Sequence, residues 1–181
     1  MSIIKCKSEA INDILIRLTF DGAFQRAKIY KENTTALERE TFRRSMALLL
    51  PITLNEILAK EKYSNNDHFK ILEKFSNIIS KKHAEILIDD KIRIGNAQKF
   101  LNLYWKVSWL IKKNIPIPIH CPFDSIVIKK LDKSLKGTAW TKFDSIDVYK
   151  KLVAAAEEKA GLGKSIAEWE LRIYRDEVNY E

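Results

Sequence analysis

Gly95-Asn-Ala-Gln-Lys-Phe-Leu-Asn-Leu-Tyr-Trp-Lys-Val-Ser-Trp-Leu-Ile-Lys-Lys113 decides the fold. On a helical wheel Phe100, Leu101, Tyr104, Val107, Ser108 and Ile111 share one apolar face, and Trp105 and Trp109, four apart, make a second. A helix apolar on two sides is central and buried, so residues from about 95 to 113 predict a core helix. Gln98 and Asn102, also four apart and in line with Trp105, are then buried amides that need hydrogen-bond partners. The chain continues as Pro116-Ile-Pro118-Ile-His-Cys-Pro122. Each proline removes a backbone donor and pushes its predecessor out of the helical region, so this stretch crosses the bundle extended.

Helix signals recur on both sides. Ser8 precedes a stretch in which Ile11, Ile14, Leu15 and Leu18 recur at three and four. Thr35 with Glu38 makes a capping box ahead of Phe42, Met46, Leu49 and Leu50, and Pro51 predicts a kink or a restart. A third helix is expected after Asn65-Asn66-Asp67, carrying Phe69, Leu72, Phe75, Ile78 and Ile79 and ending near Asp89-Asp90-Lys91. Asp124 reads as the N-cap of a short helix from Ser125 to about Leu135, followed by a turn at Lys136-Gly137-Thr138. Asp144 with Asp147 is expected to cap the next helix, through Tyr149, Leu152, Val153 and Ala156. Gly161 should stop it, and Ser165 with Glu168 should open the last.

The predicted architecture is therefore all-α, a single-domain bundle of six or seven helices around the central one. The domain spans residues 1–181, with N-terminal helices in 1–92, the central helix and crossing in 93–142 and an acidic helical hairpin in 143–181. Only 5 Gly and 4 Pro in 181 residues disfavour a many-stranded sandwich, and 46% hydrophobic residues suffice for a core. Cys6 and Cys121 are far apart in sequence and suggest a reducing, cytoplasmic setting, not a disulfide framework. Met1-Ser-Ile-Ile-Lys-Cys6 lacks a secretory leader pattern. The longest apolar runs, 46–54 and 107–111, fall well short of the roughly 20 residues that span a bilayer, so no membrane partner is expected.

The net charge of +8 is uneven. Residues 1–142 carry 26 Lys and Arg against 15 Asp and Glu, a balance of +11, while residues 143–181 carry 6 against 9, a balance of −3. A basic body attracts polyanions at low salt. Arg39, Arg43 and Arg44 on one helix, with Lys99, are the candidate nucleic-acid contacts. The doublets Lys81-Lys82, Lys112-Lys113 and Lys129-Lys130 also suit helix C-terminal dipoles.

Sites with recognisable chemistry are few. Gly163-Lys164-Ser165 lacks the first glycine of a phosphate loop, because position 158 is Glu158. His68, His83 and His120 fit no metal-ligand spacing, so neither a metal nor a cofactor is expected. No Gly-x-Ser-x-Gly occurs, and adjacent His120 and Cys121 on an extended chain point apart. The constellation that remains is Asn96, Gln98, Lys99 and Asn102 with His120, Asp124 and the turn Trp140-Thr141-Lys142. His120 and Asp124 bracket a rigid Cys-Pro-Phe and are the candidate catalytic pair. The same residues also admit a structural role, with Asp124 capping, His120 bonding a carbonyl and the amides tying down the crossing.

The Gly95-to-Lys106 stretch, His120-Cys-Pro-Phe-Asp124, Trp140-Thr-Lys142 and the ending Ala167-Glu-Trp-Glu-Leu together resemble a pattern in an uncharacterised family of helical proteins from bacteria and their mobile elements. The resemblance covers roughly residues 93–175, points to this region and implies no reaction. Function is expected in one of three forms. The leading one is non-catalytic binding of nucleic acid or another polyanion by the basic body. The others are an enzyme or small-ligand pocket at Gln98, Asn102, His120 and Asp124, and a subunit or interaction module that forms homo- or hetero-oligomers through its acidic C-terminal helices.

Overall fold

Local side-chain chemistry sets most helix starts in the computed structural model, which describes residues 3–24, 27–135 and 137–177. Seven α-helices follow in chain order: α1 Ile3–Phe24, α2 Ala36–Leu58, α3 Asn65–His83, α4 Ile94–Ile111, α5 Ser125–Lys130, α6 Ile146–Ala160 and α7 Ile166–Glu177. Short 3-10 turns lie at Ile88–Asp90 and Lys133–Leu135, and a single antiparallel bridge joins Tyr30 to Leu87. The reciprocal box of Thr35 and Glu38 opens α2, and a second, of Ser64 and Asp67, opens α3. Asp124 caps α5, its carboxylate accepting from the Ile126 and Val127 N–H groups. Gly161, at φ 87°, ends α6 in a conformation that costs glycine little. Lys136 lies outside the described residues.

α4 is the axis, packed against α1, α2, α3 and α6. Every residue from Ile94 to Asn102 is buried, as the two-sided wheel requires. α1 runs antiparallel along it, since Asn12 bonds Lys112 and Gly22 meets Leu103. α6 and α7 pack as a hairpin.

Five local expectations are corrected. α1 begins well before Ser8, which lies inside it. Its docking face is Leu15, Thr19, Phe20 and Ala23, whereas Ile14 and Leu18 face outward. The aromatic contacts of Phe20 and Phe24 with Phe100, at 5.5 and 5.0 Å, set that rotation. Of the kink or restart expected at Pro51, the restart does not occur: α2 runs through to Leu58, anchored by buried Leu50, Leu54 and Ile57 on either side of the missing donor. α3 ends at His83, well short of Asp89, where the chain leaves the helix and Ile86 and Ile88 bond the backbone of Lys31 and Ile29. α6 is capped by Ser145, not Asp144.

Asp144 serves α4 instead. Its carboxylate accepts from the Ile94 N–H at 3.1 Å, and the Phe143 carbonyl takes the Gly95 N–H at 3.1 Å. Buried first-turn donors need such partners, and no local side chain caps α4 at Arg93. The 140–144 segment is thereby held so close that a Cβ on Gly95 would lie 1.8 Å from the Trp140 carbonyl oxygen. Gly95→Ala gains about 1 kcal/mol of helix propensity but meets backbone, not a flexible side chain, and forces it apart at about 2–3 kcal/mol. The expected net is a loss of about 1–2 kcal/mol in urea unfolding, with chemical-shift changes concentrated at Trp140 to Asp144. A neutral or stabilising result would show that the segment docks loosely.

Candidate functional site: a charged cleft beside a buried amide network

The structure divides the sequence-derived site residues into two adjoining groups. Gln98, Asn102 and His120 form one, buried to 1% exposure or less. Gln98 pairs with the Phe123 backbone as a strand would, its Nε2 donating to the Phe123 carbonyl (2.8 Å) and its Oε1 accepting from the Phe123 N–H (3.0 Å). Asn102 Nδ2 donates to the Cys121 carbonyl (2.9 Å) and to the Tyr149 hydroxyl (2.9 Å). The register matches because four helical residues rise about 6 Å and two extended residues about 6.6 Å. Amides four apart on α4 therefore meet backbone groups two apart on the crossing.

The amides also set two imidazoles. Since Asn102 Nδ2 is committed to donating, its Oδ1 accepts, and His68 Nε2 donates to it at 2.8 Å. His68 Nδ1 then accepts from the Tyr63 hydroxyl at 3.1 Å. By the same logic His120 Nε2 donates to Asn65 Oδ1 (3.1 Å), while its Nδ1 accepts from the Tyr149 hydroxyl (2.9 Å). Asn65 Nδ2 passes on to Glu157 at 2.9 Å. Every donor has an acceptor along this chain. Burial pulls His68 down to about 4, only partly offset by its bond to Asn102. Burial, with His68 adjacent, also puts His120 well below its ordinary value. Both rings are neutral at pH 7, and burial pushes the Cys121 thiol up.

Lys99, Asp124 and Trp140 form the second group. They line an open cleft of about 270 Å³ that reaches α1 at Gly22 and α7 at Glu170 and Tyr174. Lys99 Nζ pairs with Asp124 Oδ2 at 2.7 Å and lies 5.8 Å from the Trp140 ring centroid. The Tyr174 hydroxyl donates to the same Asp124 oxygen. Two turns along α4, Lys106 reaches both Glu170 oxygens, at 2.8 and 2.6 Å, with its ammonium 4.8 Å over the Tyr174 ring. Burial pushes the Asp124 carboxyl up, but Lys99, Tyr174 and the α5 backbone together outweigh it and leave the group below its ordinary range. Glu170 stands the other way: burial raises it and Lys106 only partly compensates. Tyr174 is raised by burial and by its bond to Asp124, so it stays a donor.

His120 and Asp124 thus fall in different groups, the imidazole in the buried network and the carboxylate on the cleft. Asn96 is buried apart from both, its Oδ1 without a partner among the described residues, and Lys142 is exposed. Arg39 lies over the Tyr30 ring (5.3 Å), Arg43 over Phe20 (5.8 Å), and Arg44 pairs with Glu40. Acidic Asp13, Asp21 and Glu40 interleave with Arg17, Arg43 and Arg44 around a shallow hollow there. Lys99 joins the cleft and is held by Asp124.

Sequence reading missed Lys106, Glu170, Tyr174, His68 and Tyr149, yet three had a local signal. Lys106 follows Lys99 by seven residues, two turns along an apolar helix. Glu170 sits on the face of Ile166, Ala167 and Ile173, and His68 continues the stripe of Leu72, Phe75 and Ile79. A charged or polar residue on an apolar stripe is the informative exception.

The fold and site define an all-helical bundle with an ion-paired cleft against its central helix, and no helix among the described residues is long and apolar enough to cross a membrane. Comparison with protein families, curated proteins and solved structures finds no match. The functional argument therefore rests on this chain's own residues.

Proposed function

We propose that this protein binds a small, overall neutral polar molecule, a zwitterion bearing an ammonium and a carboxylate, in the cleft between α1, α4, α5 and α7. The observation that carries this reading is the pairing of Lys99 with Asp124 and Lys106 with Glu170 along one wall of the cleft. Taking one buried charge from its partner is costly. A zwitterion opens one internal pair and compensates both of its members, its carboxylate on the lysine and its ammonium on the acid, whereas a singly charged ligand leaves one group uncompensated. Leu103, Pro122 and the Trp140 ring supply apolar wall for the rest of the molecule. The reading assigns binding without covalent chemistry. Unpaired Cys6 and Cys121 support a reducing, cytoplasmic location. Polyanion binding has less geometric support, because acidic side chains interleave with the arginines.

The test is a thermal-shift panel of free amino acids and dipeptides, with monocarboxylic acids and monoamines of equal size as controls. Saturation to tenfold over Kd adds about 1.4 kcal/mol, a rise of about 3–6 °C for a chain of this size. Zwitterions should give it and the singly charged controls should not. Ile126→Trp narrows the cleft while keeping all four charged side chains and should abolish the shift, leaving the free protein's Tm within about 2 °C. A panel without a zwitterion response, or a shift that survives Ile126→Trp, overturns the reading.

A further inference from the structure

Away from the cleft and sharing no residue with it, α2 and α3 leave an apolar groove between them. Its walls are Leu48 and Ile52 on α2 and Ile78 on α3, exposed to 69%, 61% and 41%, with Leu49 and Ile79 below. Three large aliphatic side chains together in water form a patch that soluble chains seldom leave uncovered. The hollow holds about 190 Å³, enough for one or two aliphatic side chains from a partner. Both walls are helical, so anchors repeating every three or four residues on a third helix match their spacing.

The polar groups at the groove say what else the partner carries. His83 closes one end, 8% exposed, and its Nε2 has no hydrogen-bond partner among the described residues. Beside it Lys82 lines the mouth and has no ion-pair partner among the described residues, and Lys81 precedes it at the C-terminus of α3. Lys82 is the only lysine, arginine or carboxylate among the described residues that line the groove. The unmatched charge is therefore positive. A carboxylate at this end would accept from the Lys82 ammonium.

We infer that the α2–α3 groove docks an acidic amphipathic helix of a partner protein, its aliphatic face in the groove and a carboxylate against Lys82. The probe is a synthetic amphipathic helix of about four turns, with leucines on one face and glutamates on the other. It is titrated into the full chain and followed by amide and imidazole NMR shifts. The same peptide with lysines in place of glutamates is the control. The acidic peptide should shift Leu48, Ile52, Ile78 and His83 and bind at least tenfold tighter than the lysine peptide. Ile52→Glu, at an exposed position that leaves the fold intact, should weaken it at least tenfold, and Lys82→Glu should reverse the preference between the two peptides. Equal binding of both peptides, shifts confined to other faces, or affinity unchanged by Ile52→Glu would overturn the inference. So would a concentration-dependent dimer in sedimentation that Ile52→Glu dissociates, since a second copy would then own the groove.

Discussion

Lys106→Met is expected to destabilise the fold by about 3–5 kcal/mol at pH 8. Methionine keeps the unbranched stem that packs beneath Tyr174, so the loss isolates the charge. Glu170, 1% exposed, is left as a buried carboxylate without its cation. Burial already holds the Glu170 carboxyl above its ordinary value, and only Lys106 and the more distant Lys99 pull it back. In the variant it rises further. A carboxyl raised in the folded state binds its proton more tightly there than in the unfolded chain, so stability falls as pH climbs from the ordinary carboxylate range through the folded value. The variant should therefore lose much less at pH 5 than at pH 8 in urea unfolding. A loss equal at both pH values would mean that Glu170 remains ionised and hydrated from the cleft. Pairing the change with Glu170→Leu removes the stranded charge and should return stability to within about 1–2 kcal/mol of the parent. That recovery would show the ion pair is dispensable for folding, as expected of charges serving the cleft.

Asn102→Leu is expected to cost about 4 kcal/mol or more. Leucine is close in size and shape, so packing changes little. What changes is that the His68 Nε2–H, the Cys121 carbonyl and one bond of the Tyr149 hydroxyl all lose a partner inside the core. Each stranded group costs about 1–3 kcal/mol. Tyr149→Phe removes one hydroxyl and strands fewer groups, and should cost about 1–2 kcal/mol. The ordering, Asn102→Leu well above Tyr149→Phe, is the check. Near-equal values would mean that His68 and Cys121 find other partners when Asn102 is gone. An imidazole 15N spectrum of the parent should show both His68 and His120 as neutral Nε2–H tautomers at pH 7, since the hydrogen-bond directions allow no other assignment.

Features with a local cause were legible in the residue order. The two apolar faces of 95–113 alone predict burial of α4, because helical periodicity is a property of one segment. The Thr35 box, the Asp124 cap and the Gly161 stop were legible for the same reason, their partners lying two to four residues away. Local reading failed where a long-range contact outbid a nearby one. Asp144 is within reach of α6 but is held by the Ile94 N–H at the start of α4, 50 residues back. Ile14 and Leu18 fit a helical stripe, yet α1 turns its Phe20 and Phe24 toward Phe100 instead.

The amino-acid order by itself determined that the chain is all-helical, that its centre is the segment beginning at Gly95, and that buried amides there must meet the proline-punctuated crossing. Only the tertiary structure decided which polar residues share a wall. His120 and Asp124, four apart, were separated into network and cleft, whereas Lys106 and Glu170, 64 apart, were joined. The physical reason is that periodicity and capping report contacts within one helical turn, whereas a charge buried against another helix is placed by the packing of the whole bundle.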